Sequence, residues 1–328
     1  LSDRFGRKPI ILLSLLGISF ALGSFAIANS LTWLFISRFL QGIFSAGTFT
    51  AASAYVADIT TKESRIKGMS KLGASMAAGF IFGPAIGGIL SSINHQSPFF
   101  IASALSILNL IFVQILLKES LKIKEEKLVL KEGFLNIKAM YHGLRGELGT
   151  LFILIFLWSY ALSNNQVTIP LFSAEVLIIS AAVIGIFFSL QGFTSAYVQW
   201  FFLAKITKKL GEHHTAVLGL AVMALSLFLM PFSILPAILA VLMMAFSFGS
   251  AITRPTVQTL ISKKTHEGQG ITMGIAASFE SMGRIIGPIL GGFVFYQSGY
   301  LWAFLMVVVV ITIMLSYVIL KKKFLKPE

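Results

Sequence analysis

The sequence predicts an all-α polytopic membrane protein built as two pseudo-symmetric helical bundles. Three observations predict it: the hydropathy, the placing of the basic residues and an internal repeat. Of the 328 residues, 56% are hydrophobic and 12% charged, against about 25% charged in soluble domains. Ten apolar stretches recur along the chain: Pro9–Ala28, Thr32–Ile59, Lys67–Ser91, Pro98–Leu117, Thr150–Phe172, Ile178–Leu203, Thr215–Phe232, Pro236–Ile261, Gln269–Tyr296 and Tyr300–Leu320. Each comes close to or exceeds the about 20 residues that a helix needs to cross a bilayer. The 30 Phe and 28 Gly suit helices that face lipid and pack closely on one another. Without Cys, disulfides, thiol catalysis and thiolate metal sites are excluded.

The basic residues supply the second observation. The formal net charge is +13, yet only three of the 26 basic residues, Arg38, Arg254 and Arg284, lie deep in the apolar stretches, clear of the turns at either end. The others fall in or beside alternate connectors and at the two ends. Asn29–Leu31, Ser92–Ser97, Ser173–Leu177, Ser233–Leu235 and Gln297–Gly299 contain no Lys or Arg. By the positive-inside rule both ends of the chain and all basic connectors face the cytoplasm, with Lys321–Lys323 as an anchor after the last helix. The surplus charge is therefore a topology signal and no nucleic-acid footprint. The long connector Lys118–Gly149 is charged, and its Lys118–Lys127 run reads as a solvated link.

Third, the chain repeats itself. A shift of 204 residues lays Glu63 on Glu267, Gly79 on Gly283, and Gly83-Pro84-Ala85-Ile86-Gly87-Gly88 on Gly287-Pro288-Ile289-Leu290-Gly291-Gly292. One residue further, Phe5-Gly6 falls on Leu210-Gly211. Two copies of like orientation joined by a cytoplasmic connector form a parallel repeat. The expected domains are an N-terminal bundle over 1–117, a cytoplasmic linker over 118–149 and a C-terminal bundle over 150–328. The second copy has two stretches ahead of its basic connector and the first has none. The expectation is ten helices present of twelve, numbered three to six and seven to twelve, with the first bundle incomplete.

Three motifs carry chemistry. In the opening Leu1-Ser2-Asp3-Arg4-Phe5-Gly6-Arg7-Lys8, Gly6 suits a tight turn and the flanking charges can make charge-assisted pairs. Arg38-Phe39-Leu40-Gln41-Gly42 sets an Arg about two turns into a span, where it needs a partner or must snorkel to the outer surface. Gly79, Gly83 and Gly87 line one helix face, and Pro84, beside Gly87-Gly88, invites a kink.

Together these motifs resemble the major facilitator superfamily, in its drug–proton antiporter branch of bacterial multidrug and tetracycline exporters. The resemblance runs the length of the chain, through Thr253-Arg254-Pro255 and Ser281-Met282-Gly283-Arg284. It implies alternating access, a monomer, a bacterial inner-membrane location, and small-molecule and proton partners within the lipid bilayer. It also implies a conformational latch of Asp3, Arg4, Gly6, Arg7, Lys8 and Asp58, in which Asp3 engages the second half and Arg7 pairs with Asp58. The second-copy loop, Lys208-Lys209-Leu210-Gly211, lacks the acid, so only the first loop is expected to latch. Gly79, Gly83, Pro84, Gly87 and Gly88 form the antiporter motif, and Arg38 belongs to proton coupling.

Two departures from that pattern matter. The branch often carries an acid in helix seven or ten. Here the seventh helix reads Asn164-Asn165-Gln166, and no acid stands among the residues before Arg254. Glu280 is the carboxylate well inside a span, one turn from Arg284 and on the same face. Two roles fit it equally: proton carrier, with Arg254 and Arg284 beside it in the coupling set, or structural ion pair. The amides Asn164, Asn165 and Gln166, with Trp158 and Gln191, suit a pocket for amphipathic molecules.

The histidines lack ligand spacing, and there is no Gly-rich nucleotide loop, so neither a metal, a cofactor nor ATP-driven transport is expected. No nucleophile–base pair points to an enzyme. A metabolite or sugar facilitator of the same fold is the alternative function, and a non-transporting membrane sensor or remnant is the other.

Overall fold

The computed structural model describes residues 5–61, 64–121, 148–265 and 269–320. Its contacts divide the chain into two units, Leu1–Lys131 and Glu132–Glu328. The described residues are helical, with no strand among them.

The first unit contains α1 (Arg7–Ala26), α2 (Leu31–Ile59), α3 (Arg65–Ser91) and α4 (Ser97–Leu116). Polar residues in the short connectors start these helices. The Ser30 hydroxyl accepts the Trp33 N–H at 3.2 Å, and Asn94 Oδ1 accepts the N–H groups of Gln96 and Ser97 at 3.0 and 2.7 Å. Helix α1 packs on α2 and on α4. Hydroxyls stitch that contact: Ser106 donates to the Leu15 carbonyl at 2.9 Å, and Ser19 and Ser103 lie 3.0 Å apart. The buried apolar core here is small, made of Ile11, Leu15, Ala51 and Val113. Most of α3 is exposed, including Phe80, Phe82, Ile86 and Ile89. Such a face is costly in water and matched in hydrocarbon.

The second unit contains α5 (Gly149–Glu175), α6 (Ala181–Phe201), α7 (Leu203–Leu210), α8 (Glu212–Leu229), a 3-10 turn (Met230–Phe232), α9 (Pro236–Lys264), α10 (Gln269–Ser298) and α11 (Tyr300–Leu320). Helix α5 packs along α10, and α8 packs along α9 and α11. Its core is extensive, with Phe152, Phe172, Phe246 and Phe304 fully buried. Phe152 stacks on Phe279 at 5.5 Å, and Phe172 meets Phe304 edge-on at 5.7 Å.

Seven helices are long and apolar enough to cross a membrane by length and composition. The long helices outside that set are α2, α5 and α10. These carry Arg38 and Gln41, the Asn164–Gln166 amides, and Glu280 with Arg284. Polar side chains lower their mean hydropathy at the positions with chemical interest.

Several helix ends differ from the sequence expectation. The stretch expected over Ile178–Leu203 closes at Phe201 and is followed by a separate short helix, α7, with Lys205, Lys208 and Lys209 on it. Helix α8 starts at Glu212 rather than Thr215, α9 runs on to Lys264, and α5 to Glu175. Hydropathy measures how much of a helix is apolar. Backbone hydrogen bonding continues into polar residues for as long as no breaker intervenes.

Candidate functional site

Two charged clusters stand out, one in each unit. In the first, Gly6 turns the chain with φ +107°, a conformation that favours glycine, and α1 begins at the next residue. That turn brings Arg7, only 9% exposed, against the last turn of α2, where its Nε donates to Asp58 Oδ2 at 3.0 Å. The Ser120 hydroxyl donates to the same carboxylate oxygen at 3.1 Å. Lys8 Nζ reaches the Gln114 carbonyl at 2.8 Å. Asp3 and Arg4 lie outside the described residues.

Glu119 completes this cluster. Its carboxylate accepts the backbone N–H of Arg7 at 2.9 Å and of Lys8 at 3.2 Å, and also those of Ser120 and Leu121, each at 3.0 Å. Burial raises its pKa, and the backbone donors of Leu121, Arg7, Lys8 and Ser120 outweigh that, holding it below the usual carboxylate value. At the start of the run expected to be a solvated link, Glu119 is exposed and yet binds the opening of α1, and Ser120 binds Asp58; positions 122–127 of that run lie outside the described residues. A carboxylate beyond α4 caps the unsatisfied amides that open α1. Nothing local in the sequence announces this, because the partners lie more than 100 residues apart.

Arg38 points its Nη1 to Gln41 Oε1 at 2.7 Å and stacks over the Phe25 ring at 4.2 Å and, more distantly, Phe99 at 5.7 Å. The antiporter-motif residues lie along α3. A side-chain carbon added at Gly79, Gly83 or Gly87 would meet nothing within 4 Å among the described residues. Gly88 is buried and Pro84 half-buried.

The second cluster is centred on Glu280 of α10, 8% exposed. Arg284, one turn on, donates to its Oε1 at 2.7 Å, the pair that the i,i+4 spacing allows. Arg254 of α9 reaches both carboxylate oxygens, at 3.2 to 3.4 Å. Its guanidinium also lies 5.3 Å from the Trp158 ring centre, and the Trp158 indole donates to Ser250 at 2.8 Å. One carboxylate is thus shared by two cations from different helices. The Glu280–Arg254 contact could not be read from spacing, because 26 residues and a change of helix separate the two.

Below it, α5 and α10 approach until their backbones touch. Carbons added at Gly283 and Gly287 would come within 2.6 Å of the Phe156 carbonyl and 2.8 Å of the Tyr160 carbonyl. The Ser159 and Ser163 hydroxyls donate to the Glu280 and Gly283 carbonyls at 2.6 and 3.0 Å. Asn164 faces Gly291 and is fully buried, as is Asn165; Gln191 is 8% exposed, and Gln166 is exposed. Both amide atoms of Asn165 and the amide nitrogens of Asn164 and Gln191 lack a protein hydrogen-bond partner. A buried polar group left so costs about 1–3 kcal/mol. No three His, Asp or Glu side chains converge as metal donors among the described residues.

Helices with this apolar surface, with a carboxylate and amides buried among them, define a multi-pass membrane protein. Comparison with known proteins gives the family. The Major Facilitator Superfamily model matches residues 1–162 and 151–327. The chain is 31% identical over 298 residues to multidrug resistance protein 2 of Bacillus subtilis (strain 168), covering 89% of this chain and 74% of that one. It is 30% identical over 305 residues to the class C tetracycline resistance protein of Escherichia coli, covering 92% and 76%. Among solved structures, a POT family transporter in complex with 5-aminolevulinic acid matches with a TM-score of 0.78 at 15% identity, over 99% of this chain and 84% of that one. This chain belongs to the Major Facilitator Superfamily. It is a secondary transporter, not an enzyme.

Proposed function

We propose that the protein exports small organic molecules from a bacterial cell in exchange for protons, by alternating access of two related bundles in the plasma membrane. The observation that carries this reading is Glu280, a carboxylate buried within a membrane helix and held between Arg254 and Arg284. A carboxylate buried at membrane depth beside two cations is a costly arrangement, and intramembrane carboxylates of this kind mark proton and substrate pathways. The direction of transport is supported by the relatives, whose names are multidrug, tetracycline and quinolone resistance proteins. Two related bundles are supported by the packing: α1 lies on α2 and α4 as α8 lies on α9 and α11. The latch reading is supported by the Arg7–Asp58 pair, and a substrate role for the amides by the unpartnered Asn165. The basic connectors face the cytoplasm on this reading.

The test is transport of tetracycline or a quinolone by the intact protein in proteoliposomes, with and without an imposed pH gradient. Glu280→Gln is expected to abolish uphill export and leave downhill exchange. Full proton-coupled export by that variant would move the carrier elsewhere. If Glu280 serves only to neutralise the arginines, Glu280→Gln will accumulate poorly, and adding Arg284→Gln will restore accumulation together with coupling.

A further inference from the structure

The internal repeat lays Arg7 on Glu212 and Asp58 on Lys263, in the register that places Gly6 on Gly211. In the first unit the two positions form an ion pair of 3.0 Å, and in the second they form one of 2.6 Å. The settings agree in detail. Gly6 and Gly211 both have positive φ, +107° and +78°, with nearly equal ψ of 158° and 162°. Arg7 and Glu212 are each the first residue of a helix, and Asp58 and Lys263 each the last but one of the helix it packs on. The charges, however, are exchanged. The second loop has Lys208 where the first has Asp3, yet it carries an acid of its own directly after its glycine, where the first has Arg7.

We propose that Glu212 and Lys263 form a second conformational clasp, the counterpart of Arg7–Asp58 with inverted polarity, closing the start of α8 on the end of α9 during transport. This rests on the latch reading of the first pair. Helix dipoles make the two clasps unequal. An acid at a helix start and a base at a helix end are favoured, so Glu212 and Lys263 both sit where the dipoles want them. Arg7 and Asp58 both oppose theirs. The amides that open α1 take their anion from Glu119 instead, the role that Glu212 fills in place in the second unit. The second clasp is therefore the tighter brace and the first the one that releases more readily.

The experiment is drug transport by the intact protein carrying Glu212→Lys, Lys263→Glu or both, with accumulation measured alongside. Each single reversal puts like charges together and is expected to lower turnover about fivefold or more, with little change in the half-saturating drug concentration. The double reversal restores the pair against the dipoles, so turnover recovers in large part but not fully. The milder Glu212→Gln and Lys263→Gln, singly and together, give the same coupling should a reversal fail to accumulate. Lys209→Glu, a reversal in the same loop outside the pair, sets the effect of charge alone. Normal turnover in both single reversals, or a double reversal that accumulates yet recovers nothing, overturns the proposal. Arg7→Glu and Asp58→Arg run in the same assay keep the two readings apart. If they have no effect the latch itself fails; if they impair transport while the second-unit reversals do not, only the second clasp fails.

Discussion

The same glycine spacing has opposite surroundings in the two units. On α10, Gly283, Gly287 and Gly291 are filled by the backbone, hydroxyls and Asn164 amide of α5. On α3, Gly79, Gly83 and Gly87 carry the same pattern with the same proline, and nothing described approaches them. The difference runs deeper than the glycines. The second unit has an extensive core, and the first a small one. A small-residue stripe lowers the distance at which two helices can meet, but the energy comes from the partner that fills it. The start of the helix after the basic turn differs likewise: α8 supplies its own anion, whereas α1 borrows Glu119.

The hardest test of this contrast is Gly287→Leu. Its side chain would have to enter the space of Ser163 and the Tyr160 carbonyl, and backbone cannot yield as a flexible side chain can. A loss of about 3 kcal/mol or more is expected, seen as failure to accumulate folded protein in membranes. Normal accumulation would mean that α5 and α10 are further apart than described.

Gly83→Leu is the matched variant and should cost far less, within about 0.5 kcal/mol, as a substitution into open space does. Thermal unfolding in detergent compares the two. A loss as large as that at Gly287 would break the contrast and show that the α3 stripe is also filled in the working protein.

The smallest effect concerns Glu119. Its folded pKa is lowered, so the stability it adds is complete above the ordinary carboxylate value, about 4.3, and is lost as pH falls through the lower folded value. Being largely exposed, it contributes modestly. The melting temperature of Glu119→Gln should lie below that of the parent at neutral pH, and the gap should close on acidification below about pH 4. A gap that stays constant with pH would mean that the charge on Glu119 does not hold α1.

Much of this was legible beforehand for a physical reason. A bilayer sets helix length, so apolar stretches located the long helices. The i,i+4 geometry of a helix made Glu280–Arg284 a necessary neighbour pair, and the family resemblance pointed Arg7 at Asp58. The remainder depended on contacts between distant segments. Arg254 meets Glu280 across two helices, Glu119 folds back over 100 residues, and Glu212–Lys263 hid behind a charge exchange that a search for the original acid passes over. Hydropathy also could not separate α7 from α6, because a short amphipathic helix carries no membrane signal.

The backbone contact between α5 and α10 has a mechanical consequence. Two helices meeting through glycine, with serine hydroxyls bound to the opposite carbonyls, cannot slide or part without breaking those bonds, so they move as a single rod. Trp158, Glu280 and Arg284 ride on that rod together. Arg254 does not. It belongs to α9, which touches α10 only lightly and lacks a backbone donor at the very next residue, Pro255. Of the two bonds to Glu280, the one across this seam is the longer. Swinging α9 away by a few tenths of an ångström would take the Arg254 contacts beyond hydrogen-bonding range and leave Arg284 on the carboxylate, while every residue stays in its own helix.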